Sequence, residues 1–466
     1  MAIVISLCVS YALYCLFSQP AGPITTPDSA HYLAFSPIVP LGYPVFLGVV
    51  GARGAMLLQP LLYAAALAFL GREVVRHTGR VTLAVAIIAG CMVVPQITAF
   101  HASILSESLF LSAVIGFLAL TVWFVHHPSW HLLVPIATVV GVSTTIRRTG
   151  YALVPVLLIM VLLQGRRLKG SQPALFFVAA VAPFLFIVGM EQVAAPIVHA
   201  GSTSSLMGRH LFAKAALVEA PPGPGTTDPL RAGLDEHLAV RYAPIRLMLA
   251  RAPHDVRAVL AIYYETCLQG ACADASRGLM PGQTEPIQTA ALGEAGRARI
   301  TRAPLAFAQL TALHLGSLWT VDRLRHPDTA AALAAFIAAN RPLPFEREAL
   351  RLEPGQSMDF PPSARVRYLQ LAISAIGVVT GVVALAGLVA ALGRRRLPPL
   401  LAIGSVAALA AHGGLLFTAL LAAGFSRFML GLWPAIVTAS VCTAWWLAST
   451  DYWAAMFGRP LRKTNF

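Results

Sequence analysis

Charge is what this sequence has least of. Only 12% of its 466 residues are Asp, Glu, Lys or Arg, and 57% are apolar. An ordinary soluble domain carries about twice that charged share. So little charged surface cannot cover a water-soluble globule of this length. A cytosolic enzyme and a disordered protein are therefore excluded. Six cysteines are too few for a secreted disulfide scaffold. Cys8, Cys15, Cys91 and Cys442 lie in apolar runs, where a thiol behaves as a small apolar side chain. Cys267 and Cys272 lie in a polar stretch. They could close a small disulfide in an oxidising compartment or stay as two thiols. Lysine is nearly absent, with three against thirty-one arginines, a bias that points to a GC-rich genome more than to a function. Acids are scarcest of all: between Met1 and Met190 there are only Asp28, Glu73 and Glu107.

What the chain does have is long apolar runs, and its mean hydropathy is +0.71. Runs approaching 20 residues between short basic clusters read as a polytopic, all-α membrane protein of about ten spans. The spans are expected near 1–18, 54–70, 81–99, 104–125, 131–146, 151–164, 172–194, 368–392, 398–422 and 428–449. The first lacks the basic start and small-residue cleavage site of a signal peptide, so it reads as a helix. The net charge of +14 sits in clusters at 71–80, 165–170, 393–396 and 458–463. Their position between apolar runs argues for topology signals rather than nucleic-acid binding. With both termini in the cytoplasm, alternation places all four clusters inside. It places segment 19–53, the Arg147-Arg148 turn, loop 195–367 and Arg427 outside.

The stretch 195–367 differs in composition and holds fifteen of the twenty acidic residues. It is long enough for an external domain, flanked by membrane modules over 1–194 and 368–466. Amphipathic helices are expected over 235–249 and 328–339. The apolar piece 304–321 reads as a helix lying in the membrane interface.

Ionisable groups near membrane depth are costly, which makes the rare ones candidates for function. Glu73 lies in a basic cluster and is expected to pair with Arg72 or Arg76. Asp28 lies in the first external loop, within PDSAHYL, before the Gly42-Tyr43-Pro44 segment. It reads either as a helix N-cap or as part of a site walled by that loop. Glu107 opens the fourth span and is either a site residue or a helix-bundle hydrogen bonder. Arg147, Arg148 and Arg427 break the inside-positive bias. They suit a lipid phosphate or pyrophosphate, or else snorkel to ordinary headgroups. His31, Tyr32, Tyr43 and His101 complete the external candidates.

The order PDSAHYL…GYPVFL, an acid opening the fourth span, IRRTGYALVP, then SRFMLGLWP before the last span resembles the GT-C glycosyltransferases. The resemblance is to the family 39-type bacterial branch, which is similar to protein O-mannosyltransferases and lipid A aminoarabinose transferases. It covers the membrane half, while 195–367 carries no motif of that family. It implies a GT-C-like bundle in a bacterial inner membrane. It also implies a polyprenyl-phosphate sugar donor and inverting transfer to a lipid, glycan or protein acceptor on the outer, periplasmic face. Asp28 occupies the place of the family's first-loop acid. Many relatives have two adjacent acids there, and here the second is Ser29, so no essential metal or other cofactor is expected. A transporter or lipid flippase is the alternative. It would favour a duplicated half with broken helices, and no internal repeat is visible. A third reading is a membrane-anchored assembly protein whose external loop is the working part.

Overall fold

In a computed structural model, the structure describes residues 1–165, 172–199, 207–221, 228–241, 243, 246, 277–319, 364–393, 397–421 and 429–449. Among the described residues the regular structure is helical, with one isolated bridge between Ile24 and Ser103. Arg427, Cys267, Cys272, much of the expected helix 235–249 beyond residue 241, the segment 328–339 and most of the basic clusters beyond residue 165 lie outside the described residues. The chain divides into two compact units. One comprises Met1–Gly201, Ile376–Gly414 and Leu430–Phe466, the other Ser202–Ala375 and Leu415–Met429.

The first unit begins with α1 (Ala2–Phe17), α2 (Pro27–Leu33), α3 (Gly42–Thr78), α4 (Val81–Met92) and α5 (Pro95–Ala102). It continues through α6 (Glu107–His126), α7 (Trp130–Ile146), α8 (Leu153–Gly165) and α9 (Gln172–Val198). Among the described residues each of the ten apolar segments contains helix, and these helices differ in length. Five are individually long and apolar enough to cross a membrane: Gly42–Thr78, Glu107–His126, Gln172–Val198, Leu371–Ala390 and Pro399–Leu420. The bent pair α4–α5 adds a sixth where it is counted as one broken span rather than a re-entrant loop, and Ala2–Phe17, Trp130–Ile146, Arg148–Leu162 and Trp433–Ala448 are shorter. A chain with this set of apolar helices is a membrane protein by length and composition.

Two elements depart from the expected boundaries for local reasons. The expected span 81–99 is broken, and its two halves meet at 63°. Pro95 opens α5, and Val94 before it is extended, at φ −86° and ψ 112°. The residue before a proline is driven out of the helical region, and proline brings no N–H to the ladder. The second departure is α3, which was expected over 54–70 but starts at Gly42, inside the stretch read as loop. Pro44 falls in the first turn, where helix N–H groups lack partners anyway. The 37 residues of α3 would reach about 55 Å if straight, well beyond a hydrocarbon core of about 30 Å. Gly51 interrupts it at φ 70° and ψ 165°, a conformation open to glycine because it has no Cβ.

Within this unit α3 packs on α6, α1 and α4, and α7 packs on α9. α6 buries most of its circumference, with Phe110, Leu111, Val114, Phe117, Leu118 and Phe124 in the core. A helix that is apolar all round belongs at the centre of a bundle. Gly42 lets the start of α3 approach the end of α7: a Cβ there would lie 2.5 Å from Thr145 Oγ1 and 2.8 Å from its carbonyl. Of the later helices, α14 (Ala364–Leu392) and α15 (Pro399–Leu421) each run across the division between the units, and α16 (Trp433–Ala448) lies wholly in the first. Trp433 Nε1 donates to the Gly90 carbonyl of α4 at 2.9 Å.

The second unit includes α10 (Met207–Ala216), α11 (Pro229–Arg241), α12 (Glu285–Arg302) and α13 (Pro304–Leu318). α10 crosses α12 so closely that a Cβ on Gly208 would overlap the Thr289 carbonyl oxygen. Arg299, 2% exposed, closes the far end of α10. Its Nε donates to the carbonyls of Ala215 and Val218 at 3.2 and 3.1 Å. Asp235 of α11 holds Arg299 at 3.0 Å and Arg302 at 2.6 Å. The carbonyls that end a helix have no intrahelical donors, and a guanidinium held by a carboxylate supplies them.

Candidate functional site

The break between α5 and α6 leaves residues 103–106 outside either helix, with the last carbonyls of α5 open. Backbone polar groups at membrane depth need partners from the protein. The first loop supplies them. Ile24 N–H donates to the Ala102 carbonyl at 2.9 Å, and Ile104 N–H to the Ile24 carbonyl at 3.0 Å. Ser29 Oγ donates to the Ile104 carbonyl at 2.9 Å. From the other side Gln59 of α3 donates to the carbonyls of His101 at 3.1 Å and Ser103 at 3.3 Å. The turn is thereby clamped between the first loop and α3.

This clamp places α2, with Asp28, beside the opening of α6. Thr26 is the N-cap of α2. Its N–H donates to Ser29 Oγ at 2.8 Å, and the two hydroxyls lie 3.2 Å apart. Thr26 and Ser29 therefore perform the capping that Asp28 could have performed. Asp28 follows in the first turn and is half-buried. Ser29, standing where an adjacent acid would, is 1% exposed and committed to the turn. One helical turn on, Tyr32 Oη shares a hydrogen bond with Ser106 Oγ at 3.0 Å. The Tyr32 ring packs edge-on against Tyr43, with centroids 4.9 Å apart. Tyr43 in turn donates to Gln59 Oε1 at 3.3 Å.

Glu107, 1% exposed, meets Arg147 Nη1 at 2.7 Å. The same guanidinium nitrogen reaches Ser106 Oγ at 3.5 Å. Asp28, Tyr32, Ser106, Glu107 and Arg147 are thus brought to one neighbourhood from three separate stretches of chain. Burial, and next the Glu107 carboxylate, push the Tyr32 phenol above its ordinary range, with Asp28 adding in the same direction. Arg147 and the Ser106 hydrogen bond pull against them. The phenol stays neutral between two acids and one guanidinium.

Arg148 turns the other way and pairs with Glu191 of α9 at 2.9 Å. The second oxygen of Glu191 accepts from Leu41 N–H at 3.2 Å. The tandem arginines therefore meet two carboxylates on two helices, and each has an acidic partner within the protein. Glu191 was not foreseen as a partner. The signal was available: an acid inside the apolar run 172–198 is as costly as Glu107.

The remaining candidates separate. His101 is fully buried and lies within reach of Ser108 Oγ at 2.7 Å and Tyr11 Oη at 3.2 Å. It belongs to the packing of α1, α5 and α6. Tyr43 is fully buried beneath Tyr32, and His31 is exposed on α2. Glu73 pairs with both Arg72 and Arg76 at 3.7 Å, as expected, and also with His77 at 3.3 Å. No protein-family profile, curated protein or solved structure matches this chain.

Proposed function

We propose that the protein is a membrane glycosyltransferase. It moves a sugar from a polyprenyl phosphate to a hydroxyl acceptor, at the membrane face where α2 lies. The observation that carries this reading is the attachment of α2 to the 103–106 turn. That attachment brings α2 to the opening of α6, where the charges of Asp28, Glu107 and Arg147 all act on Tyr32. In the proposed reaction the acceptor oxygen attacks the anomeric carbon as the bond from that carbon to the phosphate oxygen breaks. Asp28 accepts the acceptor proton. Arg147, oriented by Glu107, stabilises the charge that collects on the departing phosphate. A base and a guanidinium on opposite sides of the sugar give inversion. The acceptor is a lipid, glycan or protein, and the setting proposed is the periplasmic face of a bacterial inner membrane.

The experiment is transfer from labelled polyprenyl-phosphate sugars to membrane acceptors by the purified protein. Asp28→Asn is expected to lower transfer by about 10²–10⁴-fold, with the melting temperature unchanged. Undiminished transfer by that variant removes Asp28 from the chemistry.

One feature favours a second reading as a transporter or lipid flippase. α4 and α5 form a broken helix, bent by 63°, and α3 is interrupted at Gly51. Discontinuous helices line substrate paths in many transporters. Uptake into proteoliposomes that persists when no transfer occurs would favour it.

A further inference from the structure

At the end of α6 remote from Glu107, charged and aromatic groups gather from two helices. α6 runs 20 residues from Glu107 to His126, so this end lies about 30 Å away. The last turns of α3 bring Arg72, Glu73, Arg76 and His77, and the end of α6 brings Trp123, His126 and His127. Glu73 is fully buried, 3.7 Å from Arg72 Nε and 3.7 Å from Arg76 Nη1. Both separations are too long for hydrogen bonds. The carboxylate therefore aims the two guanidinium groups without using their donors. Among the described residues neither arginine donates a hydrogen bond. Their side chains are 61% and 46% exposed.

The rest of the cluster forms a floor and a wall. The rings of His77 and His126 stack with centroids 4.0 Å apart and planes 5° apart, and His127 lies 5.4 Å from His77. The nitrogen lone pairs of stacked imidazoles lie in separate, parallel planes. They do not converge on one metal ion. Arg76 lies 5.7 Å from the ring centroid of Trp123, a cation–π contact on a residue type that favours headgroup depth. Arg72 and Arg76, four residues apart, share one helix face.

From this arrangement we infer that the Arg72–Arg76–Trp123 corner binds the phosphate of an anionic lipid headgroup. Two arginines and one carboxylate leave one net positive charge. That matches a phosphodiester monoanion better than a free phosphate dianion. Exposed, carboxylate-aimed guanidinium groups can take phosphate oxygens two at a time. The indole holds Arg76 at headgroup level. The inference does not depend on the catalytic reading, because none of these residues takes part in it.

The test uses the full-length protein in detergent micelles, with bound lipid counted by native mass spectrometry. The probes are short-chain phosphatidylglycerol, phosphatidylcholine and inorganic phosphate. The wild type is expected to retain phosphatidylglycerol over phosphatidylcholine by about tenfold. The double variant Arg72→Gln/Arg76→Gln is expected to lose that preference. Arg76→Lys keeps the charge but not the planar fork, so most of the preference should go with it. Unchanged preference in either variant overturns the proposal. So does displacement of the lipid by millimolar inorganic phosphate, which would mark a site for soluble anions. If the double variant fails to fold, the Arg76→Lys result decides.

Discussion

Glu107→Gln and Glu191→Gln are the same substitution at two ion pairs of nearly equal length, and burial separates their expected costs. Glu107 lies 2.7 Å from Arg147, whose side chain is 14% exposed. Glu191 lies 2.9 Å from Arg148, whose side chain is 48% exposed. Distance alone would rank the two alike. The charge left behind decides instead. Without Glu107, Arg147 is an enclosed cation that has lost a carboxylate at 2.7 Å, and removing one partner of a buried pair costs about 3–5 kcal/mol. Without Glu191, Arg148 turns to water, and a half-exposed pair is worth about 1 kcal/mol or less. Glu107→Gln should therefore destabilise by about 3 kcal/mol, on the order of a hundredfold in the folding equilibrium. Glu191→Gln should cost under about 1 kcal/mol, since glutamine keeps an acceptor for Leu41 N–H. Reversible unfolding in mixed micelles with increasing dodecyl sulfate, followed by circular dichroism, measures both. A double-mutant cycle with Arg147→Gln isolates the pair. A loss in Glu191→Gln as large as that in Glu107→Gln would refute the reasoning.

Three further outcomes can be checked on the same preparation. Ser29→Ala removes one cap acceptor and one donor to the Ile104 carbonyl. It should cost about 1–2 kcal/mol and speed proteolysis of the first loop, and an unchanged cleavage rate would contradict the clamp. Gly208→Ala places a methyl on the Thr289 carbonyl. The obstacle is backbone, so the α10–α12 crossing should lose about 3 kcal/mol, read as a lower melting temperature. Lys214 is fully buried, its Nζ has no hydrogen-bond partner among the described residues, and burial holds its ammonium well below the ordinary lysine range. The folded state then binds fewer protons than the unfolded one. Its stability should rise with pH up to the unfolded lysine value near about 10. Lys214→Met should raise the melting temperature at neutral pH and flatten that rise.

Much of the helical content was legible because apolar run length and proline position act locally. The segments at 104–125, 131–146 and 172–194 became α6, α7 and α9 with small shifts at their ends. The break at Val94-Pro95 was written in the sequence too, but a hydropathy window averages across it. The start of α3 was hidden because Gly42-Tyr43-Pro44 reads as a turn until Pro44 is recognised as a first-turn proline. From sequence Asp28 reads either as the N-cap of α2 or as a site residue. Thr26 and Ser29 fit the same motif two residues earlier and one later, and the register of capping is settled by one turn of backbone.

The sequence by itself determined that this is a membrane chain with scarce, costly acids and paired arginines. Composition and hydropathy depend on which residues are present and hardly on where they end up. Only the tertiary structure decided which acid meets which arginine. Glu107 and Arg147 are forty positions apart, and Arg148 and Glu191 forty-three. Their meeting depends on how α6, α7 and α9 cross. Likewise α2, which carries Asp28, stands beside the opening of α6 because a broken helix exposes carbonyls that the first loop satisfies. That requirement arises from unpaired backbone at membrane depth, which appears only once the chain is folded.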